Sequence, residues 1–412
     1  MWKLRHLVRG CQYCNTSLKI TPRSSASFIR RCTSIAQTTR AKTPGRKWRI
    51  ILPTGIGLSV VAGTQWNYLH EHGYSIDVDD KPELINDVVA TCYCCLPLRV
   101  TSRIWGWLTS INLPENLRPA LYKFYANLFN ANLDEIELDL SAFPNLMEFF
   151  VRTLKNNARP ISKHTSLISP ADGEILYFGP VMSCRVEQVK GATYDLRQFL
   201  GDLNGHSLKE TEEKDDYVNS LLKNPKNRLY QLVVYLAPGD YHRFHSPTDW
   251  HINFRRHFPG KLLSVHPKVL KHVFNLFSLN ERVVYVGEWS GGFMAYAAVG
   301  ATNVGSIRVY RDKELVTNKM QWPEGTRWKE ADLNTRVAKG ELFGEFRLGS
   351  TIVLLFEAPS DFQFCLQVGQ TIKVGQALSA YCNKPYEQQI ERRHLIMNVA
   401  HDWRDIWRPR VA

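Results

Sequence analysis

The amino-acid sequence predicts an α+β fold: an N-terminal membrane anchor and amphipathic helices, then a strand-rich domain built as a flattened β-barrel or sandwich of hairpins. Three observations lead there. Between residues 98 and 154, apolar side chains recur at helical spacing, as in Leu117, Leu121, Phe124, Tyr125, Leu128 and Phe129. From residue 161 the pattern changes to short runs of Val, Ile, Leu, Tyr and Phe between Gly, Pro and Asp turns, as in RLYQLVVYLAPGDY. Near the C-terminus, VGQTIKVGQALSAY (368–381) has the Gly-x-x-Ile-x-x-Gly-x-x-Leu spacing of a hairpin.

Residues 1–47 are rich in Arg, Ser and Thr and contain no acid, the composition of a mitochondrial transit peptide. Residues 1–50 hold twelve of the 52 Lys and Arg, so the remaining 40 nearly balance the 39 Asp and Glu. The body is therefore close to neutral, and a nucleic-acid-binding groove is excluded as an expectation. Residues 48–70 read as a transmembrane anchor, uncharged from Ile50 to His70, with Trp48, Trp66 and Tyr68 as interfacial aromatics. Arg46, Lys47 and Arg49 precede it, whereas Asp77, Asp79 and Asp80 follow in the acidic linker 71–91. That asymmetry predicts a single pass of the mitochondrial inner membrane, with the body in the intermembrane space.

Residues 92–160 read as a helical, membrane-associated region that ends at Pro160. In LRVTSRIWGWLTSI (98–111), two tryptophans stand among Arg99 and Arg103. The mixture suits a helix lying on an anionic bilayer and equally a helix packed on the body. The charged segment 201–227 reads as a surface insertion. The nine cysteines show no zinc spacing: Cys11 and Cys14 lie in the leader, and Cys92, Cys94 and Cys95 lack histidines at ligand distance. No metal site is expected.

Reactive residues concentrate in three turns. SPADGEI holds Asp172, APGDYHRFHSP holds His242 and His245, and Gly349-Ser350 opens the apolar run Ile352–Phe356. Singly, each has an ordinary reading: an Asx-turn, turn histidines, a turn before a strand. Together they supply Asp, His and Ser, the set that deprotonates a hydroxyl. A serine hydrolase using Asp172, His245 and Ser350 fits this much, although Ser350 lacks the G-x-S-x-G elbow. Alternatively the Ser350 hydroxyl attacks the unhindered carbonyl of Gly349, its own chain neighbour. The ester so formed can eliminate, cutting the chain between 349 and 350. A carrier domain is suggested by 368–381, but carriers present a modifiable lysine at a hairpin tip, where this chain has SAYCNK.

The stretches SPADGEI, VKGATYDLRQFLG, YLAPGDYHRFHSP, HFPGKLLSV, LFSLNERVV, VGATNVGSI and KGELFGEFRLGSTIVLLFEAP occur in an order that resembles the phosphatidylserine decarboxylase family, in its mitochondrial proenzyme form. The resemblance covers roughly residues 92–380, and its LGST motif matches the family's self-cleavage site. It implies that 161–412 is a catalytic domain, cut between Gly349 and Ser350 into a large β chain and a small α chain. Asp172, His245 and Ser350 would form the processing triad, and His242 would serve the decarboxylation. The cofactor would be a covalent pyruvoyl group derived from Ser350, with no pyridoxal phosphate and no metal. The reaction would convert membrane phosphatidylserine to phosphatidylethanolamine and carbon dioxide. The active form would be a heterodimer of the two derived chains, capable of dimerising further.

Overall fold

The computed structural model describes residues 97–379 apart from Lys190, 203–213, 271–272 and 303–305. The expected transit peptide, the anchor at 48–70, the linker 71–91 and the tail from residue 380 lie outside the described residues. Among the described residues, no helix is long and apolar enough to cross a membrane.

The expected helical region resolves into α1 (Leu98–Thr109), α2 (Arg118–Phe129) and the short α3 (Leu146–Phe150). Asn145 caps α3, its side chain accepting the Glu148 amide at 2.9 Å. Helix α1 packs on the body along one side and leaves apolar side chains exposed on the other. Its Ser102 and Thr109 are buried, whereas Val100, Ile104 and Trp107 face outward. Leu117, Leu121 and Phe124, at the start of α2 and along it, are also exposed.

The strands form one large sheet and two small ones. The large sheet has eight strands in the order β10 (Lys329–Val337), β6 (Trp250–Phe258), β7 (Arg282–Trp289), β8 (Gly292–Gly300), β12 (Ser350–Pro359), β4 (Asn227–Leu236), β1 (Gly173–Pro180), β13 (Thr371–Ile372). Every pairing within it is antiparallel. A three-stranded sheet orders β5 (Arg243–His245), β11 (Leu342–Arg347) and β9 (Ser306–Val309), and β2 (Arg185–Val189) pairs with β3 (Ala192–Asp195).

The strands do not close into the expected barrel. The large sheet is open: β10 and β13 are its two edges and do not pair with each other. A two-residue strand such as β13 offers too few ladder hydrogen bonds to close a barrel. In the described part of 368–381, Thr371 and Ile372 pair with Glu174 and Gly173 of β1, Ala377 bridges to Ile168, and Ser379 bridges back to Phe364.

The continuous apolar run of β12 has a direct cause. Ile352, Leu354 and Phe356 pack into one core with Leu232, Val234 and Tyr296, while Val353 and Leu355 enter another with Val233, Ala295 and Ala297. Both faces are covered, so alternation with polar residues is not available to this strand. The segment 201–227 is also not purely a surface insertion. Tyr217 and Leu221 are buried, and Tyr217 donates its hydroxyl to Gly201 O at 2.7 Å.

Leu354 is fully buried at the centre of the large sheet. Leu354→Ala should lower stability by about 2–5 kcal/mol, read as a fall in the thermal unfolding midpoint. An unchanged midpoint would contradict burial on that face.

Candidate active site

The sheet register gathers the candidate residues at one end. Asp172 immediately precedes β1, Leu236 is the last residue of β4, and Ser350 is the first of β12. Because β4 runs antiparallel to both neighbours, the start of β1, the end of β4 and the start of β12 coincide. Asp172 and Ser350 are thus separated by two strand spacings, about 10 Å. The turn leaving β4 carries Asp240, Tyr241 and His242, and β5 ends on His245. Two glycines permit this packing. A Cβ on Gly173 would sit 2.2 Å from Tyr235 O, and one on Gly239 would sit 2.0 Å from Phe129 O.

Ser350 is fully buried, aligned with Leu236 on one side and Gly300 on the other. Its Oγ has no hydrogen-bond partner, and neither does Oγ1 of Thr351 beside it. Leu348, two residues earlier, has φ +83°, a left-handed conformation that a branched aliphatic side chain resists. Such strain typically costs about 1–3 kcal/mol and is held only by surrounding packing. Met147, Phe150 and Val151 supply that packing. A Cβ on Gly349 would meet nothing within 4 Å, so crowding does not explain that glycine.

The two histidines have different partners. His242 is fully buried against the Phe150 ring, centroid to centroid 4.0 Å. Its Nδ1 lies 2.9 Å from Asp240 O, and a carbonyl can only accept, so Nδ1 carries the proton. Nε2 then holds a lone pair with no partner. Burial pushes the His242 pKa down to about 3, keeping the ring neutral. His245 likewise donates Nδ1–H to Gly340 O at 2.9 Å, but its Nε2 accepts from the Tyr241 hydroxyl at 3.2 Å. Burial lowers its pKa as well, partly opposed by the Gly340 carbonyl and the Asp172 charge.

The structure brings Asp172, His242, His245 and Ser350 to one end of the sheet without joining Asp172, His245 and Ser350 by hydrogen bonds. Asp172 is instead held by Arg159, whose Nε donates at 2.9 and 3.0 Å and whose Nη2 pairs with Oδ2. The Val374 amide adds a bond at 2.8 Å, and Arg159 also reaches Glu135 at 2.7 Å. These contacts replace the simple Asx-turn.

Sequence reasoning missed four neighbours: Arg159, Arg152, Asp240 and Phe150. A signal was present in EFFVRTLKNNARP, where arginines interrupt an apolar run just before the strand-rich part begins. Asp240 is partly buried, and its carboxylate accepts the Ala237 amide at 2.7 Å. Burial, with the Asp172 charge adding to it, raises its pKa to about 6. Among the described residues, no group of three or more His, Cys, Asp or Glu is arranged to hold a metal ion.

A family profile described as phosphatidylserine decarboxylase matches residues 146–380. The chain is 44% identical over 342 residues to a Cricetulus griseus protein named phosphatidylserine decarboxylase proenzyme, mitochondrial, covering 80% of this chain and 83% of that one. An Arabidopsis thaliana protein named phosphatidylserine decarboxylase proenzyme 1, mitochondrial, is 40% identical over 72% of this chain and 75% of its own. The Saccharomyces cerevisiae protein of the same name is 35% identical over 86% and 88% respectively.

Asp240 yields a pH prediction. Its folded pKa of about 6 exceeds the ordinary 3.8, so the folded chain holds that proton more tightly than the unfolded chain. The group costs nothing at low pH, where it is protonated in both states; stability is lost as pH rises from about 4 to about 6, by roughly 3 kcal/mol in all. Asp240→Asn should therefore raise the unfolding midpoint at pH 7.5 and leave it nearly unchanged at pH 4. Equal effects at both pH values would contradict the raised pKa.

Proposed function

The chain belongs to the phosphatidylserine decarboxylase family, and on that premise we propose that it cuts itself between Gly349 and Ser350 and then converts phosphatidylserine to phosphatidylethanolamine and carbon dioxide. The observation that carries this reading is the Ser350 hydroxyl: buried, without a partner, and two residues after a strained Leu348.

In the processing step, Ser350 Oγ adds to the Gly349 carbonyl carbon. The peptide C–N bond breaks as the hydroxyl proton passes to nitrogen, leaving an ester. Loss of the Cα proton of residue 350 expels the Gly349 carboxylate and leaves a dehydroalanine. Its enamine tautomerises, water displaces the nitrogen as ammonia, and a pyruvoyl group heads the new chain. His245 is the proposed base. Its Nε2 must first be released by Tyr241, whose hydroxyl holds it at 3.2 Å. The charge of Asp172 favours the imidazolium that forms, through its field rather than through a hydrogen bond.

The surroundings of position 350 fit a pyruvoyl group: Ser350 Oγ would leave with the Gly349 carboxylate, and His242 Nε2, a buried polar atom without a partner, stands at the same end of the sheet. A ketone there supplies an electron sink for the bond that releases carbon dioxide. His242 serves turnover: a proton taken up on its Nε2 is held weakly and returned readily, because burial disfavours the cation. Phe150 covers the imidazole and keeps water from it.

Substrate supply fits the outward apolar residues of α1 and α2, which form the proposed bilayer-facing surface. Anchoring in the mitochondrial inner membrane, with the body toward the intermembrane space, rests on the charge asymmetry around 48–70.

Ser350→Ala should remain one uncleaved chain without decarboxylase activity; a processed variant would refute self-cleavage. His245→Ala should block cleavage and Asp172→Asn should slow it, whereas His242→Ala should cleave and fail to turn over. Denaturing electrophoresis and product analysis separate these outcomes, and an uncleaved His242→Ala chain would move His242 into processing. Trp107→Glu combined with Phe124→Glu should weaken binding to phosphatidylserine vesicles several-fold while sparing activity on detergent-dispersed substrate. Unaltered vesicle binding would remove α1 and α2 from the membrane contact.

A further inference from the structure

Two arginines enter the buried cluster at the end of the sheet, and they are used differently. Arg159 is spent: its donors go to Asp172, Glu135 and its neighbour's carbonyl Ala158 O. Arg152 is not. It is 3% exposed, and only its Nη2 is engaged, donating to Gly239 O at 2.8 Å. Its Nε and Nη1 are buried without partners. The guanidinium stands 5.6 Å from the centre of the Phe149 ring. A desolvated cation with two idle donors is costly unless something else satisfies it.

Its surroundings indicate what that is. Gly239, the Arg152 contact, lies in the turn that carries His242, and Phe150, the last residue of α3 and two before Arg152, rests on the His242 ring. Asp172, Asp240 and the Tyr125 hydroxyl act on Arg152 electrostatically, yet none of them bonds its free nitrogens. Met147, Phe150, Val151 and Leu348 form the adjoining packed wall. Leu348 stands one residue before the proposed cleavage, so processing turns this wall into a chain end.

We infer that Arg152 binds the phosphodiester of the lipid headgroup, holding the serine moiety at position 350. This rests on the decarboxylase reading above. The headgroup offers two anions, and the reaction distinguishes them. The carboxylate loses its charge as carbon dioxide leaves, so pairing it with arginine would stabilise the ground state more than the transition state. The phosphodiester keeps its charge throughout, and the unpartnered Nη1 and Nε of Arg152 each offer a charge-assisted donor for a phosphate oxygen. Arg152 is thus a substrate-binding residue whose contribution is uniform across the reaction.

The test compares wild type with Arg152→Gln and Arg152→Lys. Both variants should be cleaved at 349–350, as read by intact mass. KM for phosphatidylserine in mixed micelles should rise about 10- to 100-fold for Gln and less for Lys, with kcat changed only a few-fold. In calorimetry, glycerophosphoethanolamine should bind wild type and bind Arg152→Gln more weakly by a similar factor. Ethanolamine, which lacks the phosphate, should not distinguish them, and inorganic phosphate should bind wild type less tightly than the full headgroup. An unchanged KM, a fall in kcat at constant KM, or equal glycerophosphoethanolamine binding by both proteins would overturn the inference. If Arg152→Gln does not fold, Arg152→Lys, which keeps the charge and loses the planar fork, carries the same criteria. Absence of decarboxylation by wild type would instead overturn the parent reading, while the calorimetric comparison would still decide the role of Arg152.

Discussion

The register of β12 between β4 and β8 is the constraint on which the site depends. Ser350 is aligned with Leu236 and Gly300, and a slip of one residue would turn it to the opposite face of the sheet. Both faces are apolar, so such a slip would also exchange Ile352, Leu354 and Phe356 with Val353 and Leu355 between two differently shaped cores. The packing that stabilises the domain thereby fixes where one hydroxyl sits. The same register sets the end of β4, and with it the turn bearing Asp240 and His242.

Around that point the polar groups fall into two states. Asp172, Arg159 and Glu135 saturate one another and tie the start of β1 to Val374. Ser350 Oγ, His242 Nε2 and two nitrogens of Arg152 stay unsatisfied although buried. Native interiors seldom leave such groups alone, because each costs about 1–3 kcal/mol. These four atoms stand at one end of the sheet, next to the left-handed Leu348, where the proposed chemistry would bring them partners.

Much of this was legible in the sequence, for identifiable reasons. The run Ile352–Phe356 announces a doubly buried strand because no polar residue interrupts it. Asp172, His242, His245 and Ser350 stand out because reactive types sit in Gly- and Pro-marked turns. Arg152 and Arg159 did not stand out, since an arginine beside an apolar helix usually extends its charge into water, and burial is decided by distant partners such as Gly239 and Asp172. Barrel closure was misread because strand periodicity reports which face is buried, not whether the edges β10 and β13 meet. Tyr217 was hidden for a similar reason: a lone aromatic in a charged segment has no periodicity to mark it.

The central claim is that Ser350 becomes the carbonyl that the decarboxylation uses. The mass of the small fragment beginning at position 350 tests it most directly, measured on freshly purified protein under denaturing conditions. The fragment should be lighter by one ammonia than the same segment with an N-terminal serine, and closed to stepwise degradation from that end. A small fragment with a free N-terminal serine, or a fragment starting at any other residue, would contradict it.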